Sequence, residues 1–211
     1  MVRNGARRSI YVLTVVCASF LTASCVGAQK PEDRDKKPVV TPNDSTFELG
    51  ERALPGRVVL IDLGTGGTLA VRAWDRDSVR LRVKFAGRDW SGSKVHLDHT
   101  PAGVRLRSNL GGSPLEKSTS HEFVLWVPRK SDIELQSLGG NVHITGVIGR
   151  FTGRTGGGAI ELDHVSGYAN LSTRGGPIII SDSHLDGTVT TRGGTVEKTR
   201  VTGNVRATVE N

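Results

Sequence analysis

A repeat constrains this chain more than any other feature. Glycine pairs begin at residues 139, 157, 175 and 193, eighteen residues apart each time. Three residues after the first glycine stand Val142, Ile160, Ile178 and Val196; five after it stand Ile144, Leu162, Ile180 and Lys198. Eight after it come Val147, Val165, Ser183 and Val201, and two before it come Ser137, Thr155, Thr173 and Thr191. Self-similarity at a fixed short period marks stacked units, none of which can bury its apolar face alone. A unit of eighteen residues has room for two short strands and two bends. If like positions stack at the strand spacing of about 4.8 Å, the Val/Ile columns become a dry interior. The glycines then serve sharp corners, and the hydroxyl column forms a ladder just before each bend.

The expected fold class is therefore all-β: a single-domain β-solenoid with coils of about 18 residues and two short strands per coil. Its domain spans 46–211, with irregular N-terminal coils over 46–130 and regular repeats over 131–211. Composition agrees, with 27 glycines and only 5% aromatic residues, and with Val and Thr carrying the pattern rather than strong helix formers. A meander of antiparallel hairpins would call for Asn-Gly or Asp-Gly turns, and within the repeat only Asp186-Gly187 qualifies. Upstream, Val79 to Phe85 alternates strictly, with Val79, Leu81, Val83 and Phe85 on one face and Arg80, Arg82 and Lys84 on the other. Val104 to Arg107 repeats that scheme. Phe123 to Val127 is a continuous apolar run ended by Pro128, which predicts a strand buried on both faces. The last unit is a bare edge open to end-to-end self-association, and Lys198 in an apolar column reads as a charge that blunts it.

The start of the chain reads as an export signal over 1–28. Arg3, Arg7 and Arg8 precede an apolar stretch from Ile10 to Leu21, too short for a bilayer, which needs about twenty residues. Val26-Gly27-Ala28 fits the small-x-small rule for cleavage and soluble release. Ala23-Ser24-Cys25 fits a lipobox, which would leave Cys25 lipidated, with Thr22 where Leu is usual. Residues 29–45 are charged and Pro-rich and read as a flexible, disordered tether. No cysteine follows Cys25, so no disulfide framework is expected, although the destination is oxidising. The formal charge of +7 includes the three signal arginines. Without them the surplus is an ordinary solubility charge, with a mild lean toward anionic partners.

At this point the sequence resembles the "putative adhesin" β-solenoid proteins of the bacterial cell envelope, a domain family of unassigned function. The matching stretches are Gly66-Gly67-Thr68-Leu69-Ala70-Val71, Trp74-Asp75-Arg76-Asp77-Ser78-Val79 and the apolar strand ending in Pro128. The recurring Gly-Gly-x-Val/Ile-x-Ile/Leu units and their glycine partners at 149, 167, 187 and 203 complete the match, over about residues 47–211. The resemblance implies an exported, non-enzymatic protein of the periplasm, outer-membrane surface or cell surface. It brings no catalytic residues.

Several chemistries fail on residue type. A calcium-binding β-roll has the same coil length, but its glycine and aspartate positions hold Val142, Ile160, Ile178 and Val196 and Ile144, Leu162, Ile180 and Lys198, which offer methyls where calcium needs oxygens. A hexapeptide acyltransferase would show an apolar residue every six positions. His96, Asp98 and His99 give two ligands on one strand face where a zinc site needs three or four. Gly64-Thr65-Gly66-Gly67 feeds a strand and contains no lysine, so it reads as a bend rather than a phosphate loop. Ser183-His184 beside Asp182 has triad residue types in adjacency only. Neither a catalytic residue nor a cofactor is expected. The enzyme reading kept as an alternative is a carbohydrate-active β-helix. It would use Asp163, Asp182 and Asp186 with His164 and His184, although turn-forming side chains explain them as well and no aromatic sugar platform accompanies them.

The basic strand faces leave one binding reading. Arg80, Arg82, Lys84, Arg105 and Arg107 could form a patch, and Arg174 and Arg192, one repeat apart, should lie side by side. Stacked like charges are unfavourable unless an anion or acid sits between them. The functional expectation is thus a structural or adhesive envelope protein, with weak binding of an anionic envelope polysaccharide as the alternative. No nucleic-acid partner is expected, since export and the lack of basic residues interleaved with aromatics both oppose it. An inserted outer-membrane barrel is disfavoured, because strands with these charged faces outward cannot meet lipid.

Overall fold

A computed structural model describes residues 46–86, 92–110 and 120–210. The expected signal, the tether and Cys25 lie outside the described residues. The described chain is all-β, with sixteen strands and no α-helix. In chain order they are β1 (Thr46–Arg52), β2 (Arg57–Leu63), β3 (Thr68–Trp74), β4 (Ser78–Ala86), β5 (Ser93–Thr100), β6 (Gly103–Leu110), β7 (Ser120–Pro128) and β8 (Ser131–Ser137). Then follow β9 (Val142–Thr145), β10 (Ile148–Thr155), β11 (Ile160–Asp163), β12 (Ser166–Thr173), β13 (Ile178–Ser181), β14 (His184–Arg192), β15 (Val196–Thr199) and β16 (Val205–Glu210).

Strands from β8 onward alternate between two eight-stranded sheets. Sheet I runs β1-β4-β7-β3-β9-β11-β13-β15, and sheet II runs β16-β14-β12-β10-β8-β2-β6-β5. Most pairs are parallel. The antiparallel pairs β1/β4, β4/β7 and β5/β6 gather at one end. Neither sheet closes on itself. Buried residues from both sheets form one cluster, so the sheets share a single core.

From β8 onward, register follows the repeat. Val142 pairs with Ile160, Ile160 with Ile178 and Ile178 with Val196, and the column Ile144, Leu162, Ile180, Lys198 runs beside it. The first three members of each column are buried. Lys198 ends its column with the ammonium donating to the Val205 carbonyl at 3.2 Å. Asp186-Gly187 is no turn: both residues lie within β14, and Gly187 packs against Ala169.

The corners explain the glycines and hydroxyls. Gly140, Gly158 and Gly176 have φ of 97, 89 and 114°. A Cβ on Gly158 would also lie 2.5 Å from the Gly140 carbonyl, so two demands converge on the same atom. Ser137, Thr155, Thr173 and Thr191 are buried at this corner. They bond to bend carbonyls instead of to one another: Ser137 to Gly139, Thr155 to Gly157, Thr173 to Gly175 and Thr191 to Gly176, at 2.7 to 3.0 Å. This satisfies polar groups that would otherwise be buried without partners. At the opposite corner a second left-handed column runs Gly146, His164, Asp182, Arg200, one repeat apart, with φ between 49 and 73°. Three of its four members carry side chains, an uncommon placement for L-residues.

The N-terminal strands join the same core out of order. β2 lies between β8 and β6 in sheet II, and β3 lies between β9 and β7 in sheet I. The Gly66-Gly67 bend therefore stacks on the Gly139-Gly140 bend, with Gly67 N–H bonded to the Gly139 carbonyl at 3.0 Å. β7 also departs from expectation. Phe123, Leu125 and Val127 are fully buried, but Val124 and Trp126 are only half-buried, because β7 lies within sheet I, with one face turned to the shared core and the other toward solvent.

Candidate functional site

The basic residues separate onto two opposite surfaces. Arg80, Arg82 and Lys84 face outward from β4 in sheet I, whereas Arg105 and Arg107 belong to β6 in sheet II. The five do not form one patch. Glu48 on β1 binds Arg80 at 2.8 Å and Arg82 at 2.8 Å. The Arg82 hydrogen bond, opposed by partial desolvation, holds the Glu48 carboxyl below its ordinary range. Arg107 pairs with Asp98 at 3.4 Å. His96 and His99 do not converge with Asp98 into a metal-ligating group among the described residues.

Arg174 and Arg192 do come together. Both border a groove of about 600 Å³ on the outer side of sheet II, with Asp62, Gln136, Arg154 and Glu210. Parallel register builds it: Gln136, Arg154, Ser172 and Thr190 form one outward column, while Arg192 stands beside Glu210. Arg192 is neutralised by Glu210 at 2.6 Å. Exposed Arg154 and Arg174 make no ion pair among the described residues. Arg154 was not singled out from sequence, since its Thr-Gly-Arg-Thr setting looks like an ordinary solvated strand. Further along this face the Arg150 guanidinium lies 5.5 Å above the Tyr168 ring.

The carboxylates of the enzyme alternative are engaged. His164 contacts Asp163 at 2.9 Å and the Ser181 hydroxyl donates to Asp163 at 3.0 Å. Partial desolvation pushes the Asp163 carboxyl up, but these two hydrogen bonds outweigh it and the net shift is downward. Arg200 grips both Asp182 oxygens, at 2.5 and 2.6 Å, and lowers that carboxyl too. Asp186 accepts the Asn204 N–H at 2.8 Å, and His184 meets the Thr202 hydroxyl at 2.9 Å. A general acid for glycoside cleavage needs a carboxyl raised toward neutrality, and Asp163 and Asp182 are shifted the other way. Ligand atoms of Asp163, His164 and Asp182 lie within 4.8 Å of one another, but a cation there would compete with the Arg200 guanidinium.

One constellation was missed by the sequence reading, which expected no aromatic platform and no basic residues interleaved with aromatics. On the outer side of sheet I the Trp74 and Trp126 rings lie 6.4 Å apart, tilted by 32°. The Arg76 guanidinium carbon lies over the Trp74 ring at 5.2 Å and that of Arg82 over the Trp126 ring at 5.4 Å. Strand parity was the available signal, because Arg72 and Trp74 must share a face of β3. The neighbours of Trp126, Arg72 on β3 and Arg80 on β4, become visible only once β7 is known to lie between those strands.

No protein-family model matches the chain, and no curated protein matches it. Solved structures that resemble it carry adhesion names and, in one case, a lipid-binding name. A "putative cell adhesion protein" of Clostridium sporogenes is 9% identical, covering 78% of this chain and 100% of its own, with a TM-score of 0.37. A "putative adhesin" of Bacteroides fragilis is 12% identical over 79% of this chain and 98% of its own, with a TM-score of 0.29. A "putative lipid binding protein" of Parabacteroides distasonis is 10% identical over 80% and 98%, with a TM-score of 0.31. At these scores the likeness carries no further weight.

Proposed function

We propose that this is an exported, non-enzymatic envelope protein that acts as a structural or adhesive element through the outer faces of a β-solenoid. The solenoid reading is supported by the eighteen-residue register of β8 to β16, with the out-of-order strands β1 to β7 extending the stack. Export rests on the sequence signal at 1–28, with release after Ala28 or an anchor at Cys25. The tether over 29–45 would then hold the folded domain away from the membrane surface.

The second reading, weak binding of an anionic envelope polysaccharide, is favoured by one observation. The groove on sheet II gathers Arg154, Arg174 and Arg192 against only Asp62 and Glu210. Its floor is a row of strands at a regular spacing of about 4.8 Å, which suits an extended polymer better than a compact ligand. Exposed guanidiniums engage carboxylates in forked pairs that salt weakens. The test is retention on an immobilised acidic polysaccharide, with and without Arg154→Ser, Arg174→Ser and Arg192→Ser combined. Earlier elution of the variant is expected; equal retention would remove the groove as the binding surface.

A further inference from the structure

We infer that the outer corner of sheet I around Trp74 and Trp126 is a subsite for a uronic-acid unit, the carboxylate-bearing pyranose of an acidic polysaccharide. The inference rests on the anionic-polymer reading and adds a second surface, on the sheet opposite the groove.

The sequence brings two indoles to one place by strand parity. Trp74 follows Arg72 on the outer face of β3, and Trp126 stands opposite Arg72 on β7. Elsewhere along that outward column sheet I carries Thr145, Asp163, Ser181 and Thr199, which are small or polar. Two half-buried indoles at adjacent positions stand apart from that pattern. Trp74 is held in place, its Nε1 donating to the Ser78 carbonyl at 2.7 Å. Indoles offer flat apolar surface beside a polar rim, the combination that meets the C–H face of a pyranose.

The charges supply the anion specificity. Arg72, Arg76, Arg80, Arg82 and Arg129 surround the rings, while the acids of the same corner are Glu48, Asp75 and Asp77. Glu48 is taken by Arg80 and Arg82, and Asp75 by Arg129 at 3.1 Å. Arg72 and Arg76 make no ion pair among the described residues. The Arg76 guanidinium carbon lies 5.2 Å from the centre of the Trp74 ring, close enough for the ring to attract the cation. A planar guanidinium grips a carboxylate through a forked pair of hydrogen bonds. A sugar that presents both a ring face and a carboxylate uses both halves of the corner, whereas a neutral sugar or a lipid phosphate uses one.

The test uses the purified exported chain carrying Trp90→Phe. The chain has three tryptophans, so Trp74 and Trp126 become its only indole emitters. Polygalacturonate, dextran and phosphatidylglycerol vesicles are titrated in at low salt. Polygalacturonate should change the indole emission saturably, and added salt should reverse it, with dextran and vesicles inactive. Arg72→Gln with Arg76→Gln should weaken that response at least tenfold while thermal melting stays the same; both residues are exposed, so folding is retained. Arg174→Ser with Arg192→Ser should leave the emission change in place. Polygalacturonate retention that is lost only in the Arg174/Arg192 variant, with no emission change, overturns this inference and leaves the groove reading standing. An emission response to vesicles alone, or an undiminished response in the Arg72/Arg76 variant, also overturns it. No retention of polygalacturonate at all overturns both.

Discussion

In the C-terminal part of the core Ile160 packs beside Ile178, its counterpart one repeat on; in the N-terminal part Leu69 packs beside Val142, far along the chain. Both are fully buried, and both sit two positions before another buried aliphatic in the same strand. The side-chain chemistry is the same, but the relation of chain order to spatial order is not. From β8 onward each strand pair is laid on the previous one. Before it, β2 and β3 are laid first and then enclosed, with β6 and β7 on one side and β8 and β9 on the other. A continuous core thus does not require a continuous sequence pattern, only inward columns that match wherever the strands meet.

The strongest way to break that comparison is to place one charge in each half. Ile160→Asp and Leu69→Asp each bury an unpaired carboxylate, at a cost above about 4 kcal/mol, so both should abolish the cooperative transition in chemical denaturation. Loss in Ile160→Asp alone, with Leu69→Asp merely shedding an early, separate transition, would show two cores instead of one.

A smaller effect separates the demands on the corner glycines. Gly158→Ala combines a positive φ with a clash against Gly140 and should cost about 2–4 kcal/mol. Gly193→Ala has a positive φ and nothing within 4 Å, so only about 1 kcal/mol is expected. Equal losses in denaturant midpoint would mean that the stacked approach of neighbouring corners contributes nothing.

The halves should also answer pH differently. His121 on β7 is enclosed by Phe85 and Phe123 and bonded to Ser93 at 2.6 Å, and burial holds its pKa below the ordinary value. The unfolded chain therefore binds this proton more readily. The contribution is complete above the unfolded value of about 6.5 and is lost as pH falls below it toward the folded pKa. Asp163 and Asp182 in the regular stack are shifted down, so their contribution is present above the unfolded carboxyl range, about 3.9, and disappears only in stronger acid. Melting curves between pH 7.5 and 5.5 should show a decline that His121→Gln flattens. A decline unaffected by that substitution would place the sensitivity elsewhere.

The smallest effect concerns the other corner. His164→Gly relieves a left-handed residue at φ 52°, worth about 1–2 kcal/mol, against the extra chain entropy that glycine loses. A net gain of about 0.5 kcal/mol is expected; a loss would show that the Asp163–His164 contact outweighs the relief.

What the sequence disclosed follows from the same physics. The eighteen-residue period predicted the inward columns, the corner glycines and the Arg174–Arg192 adjacency, because there chain order and spatial order coincide. The alternation of Val79 to Phe85 also held, since parity is local. The Trp74–Trp126 corner and the separation of Arg80 from Arg105 were hidden. Both depend on which strand lies beside which among β3, β4, β6 and β7, and that is set by antiparallel and inserted pairings that leave no period. The left-handed column at His164, Asp182 and Arg200 was hidden for another reason: after Gly146 its members are not glycine.

The measurement that bears most directly on the proposed function is retention of residues 29–211 on acidic and neutral envelope polysaccharides across a salt titration, with new sugar ends assayed in the same tubes. Retention on the acidic polymer that falls with salt, with no new ends, is the predicted result. New ends that accumulate with time would contradict it and would make the surroundings of Asp163, Asp182 and Asp186 an active site.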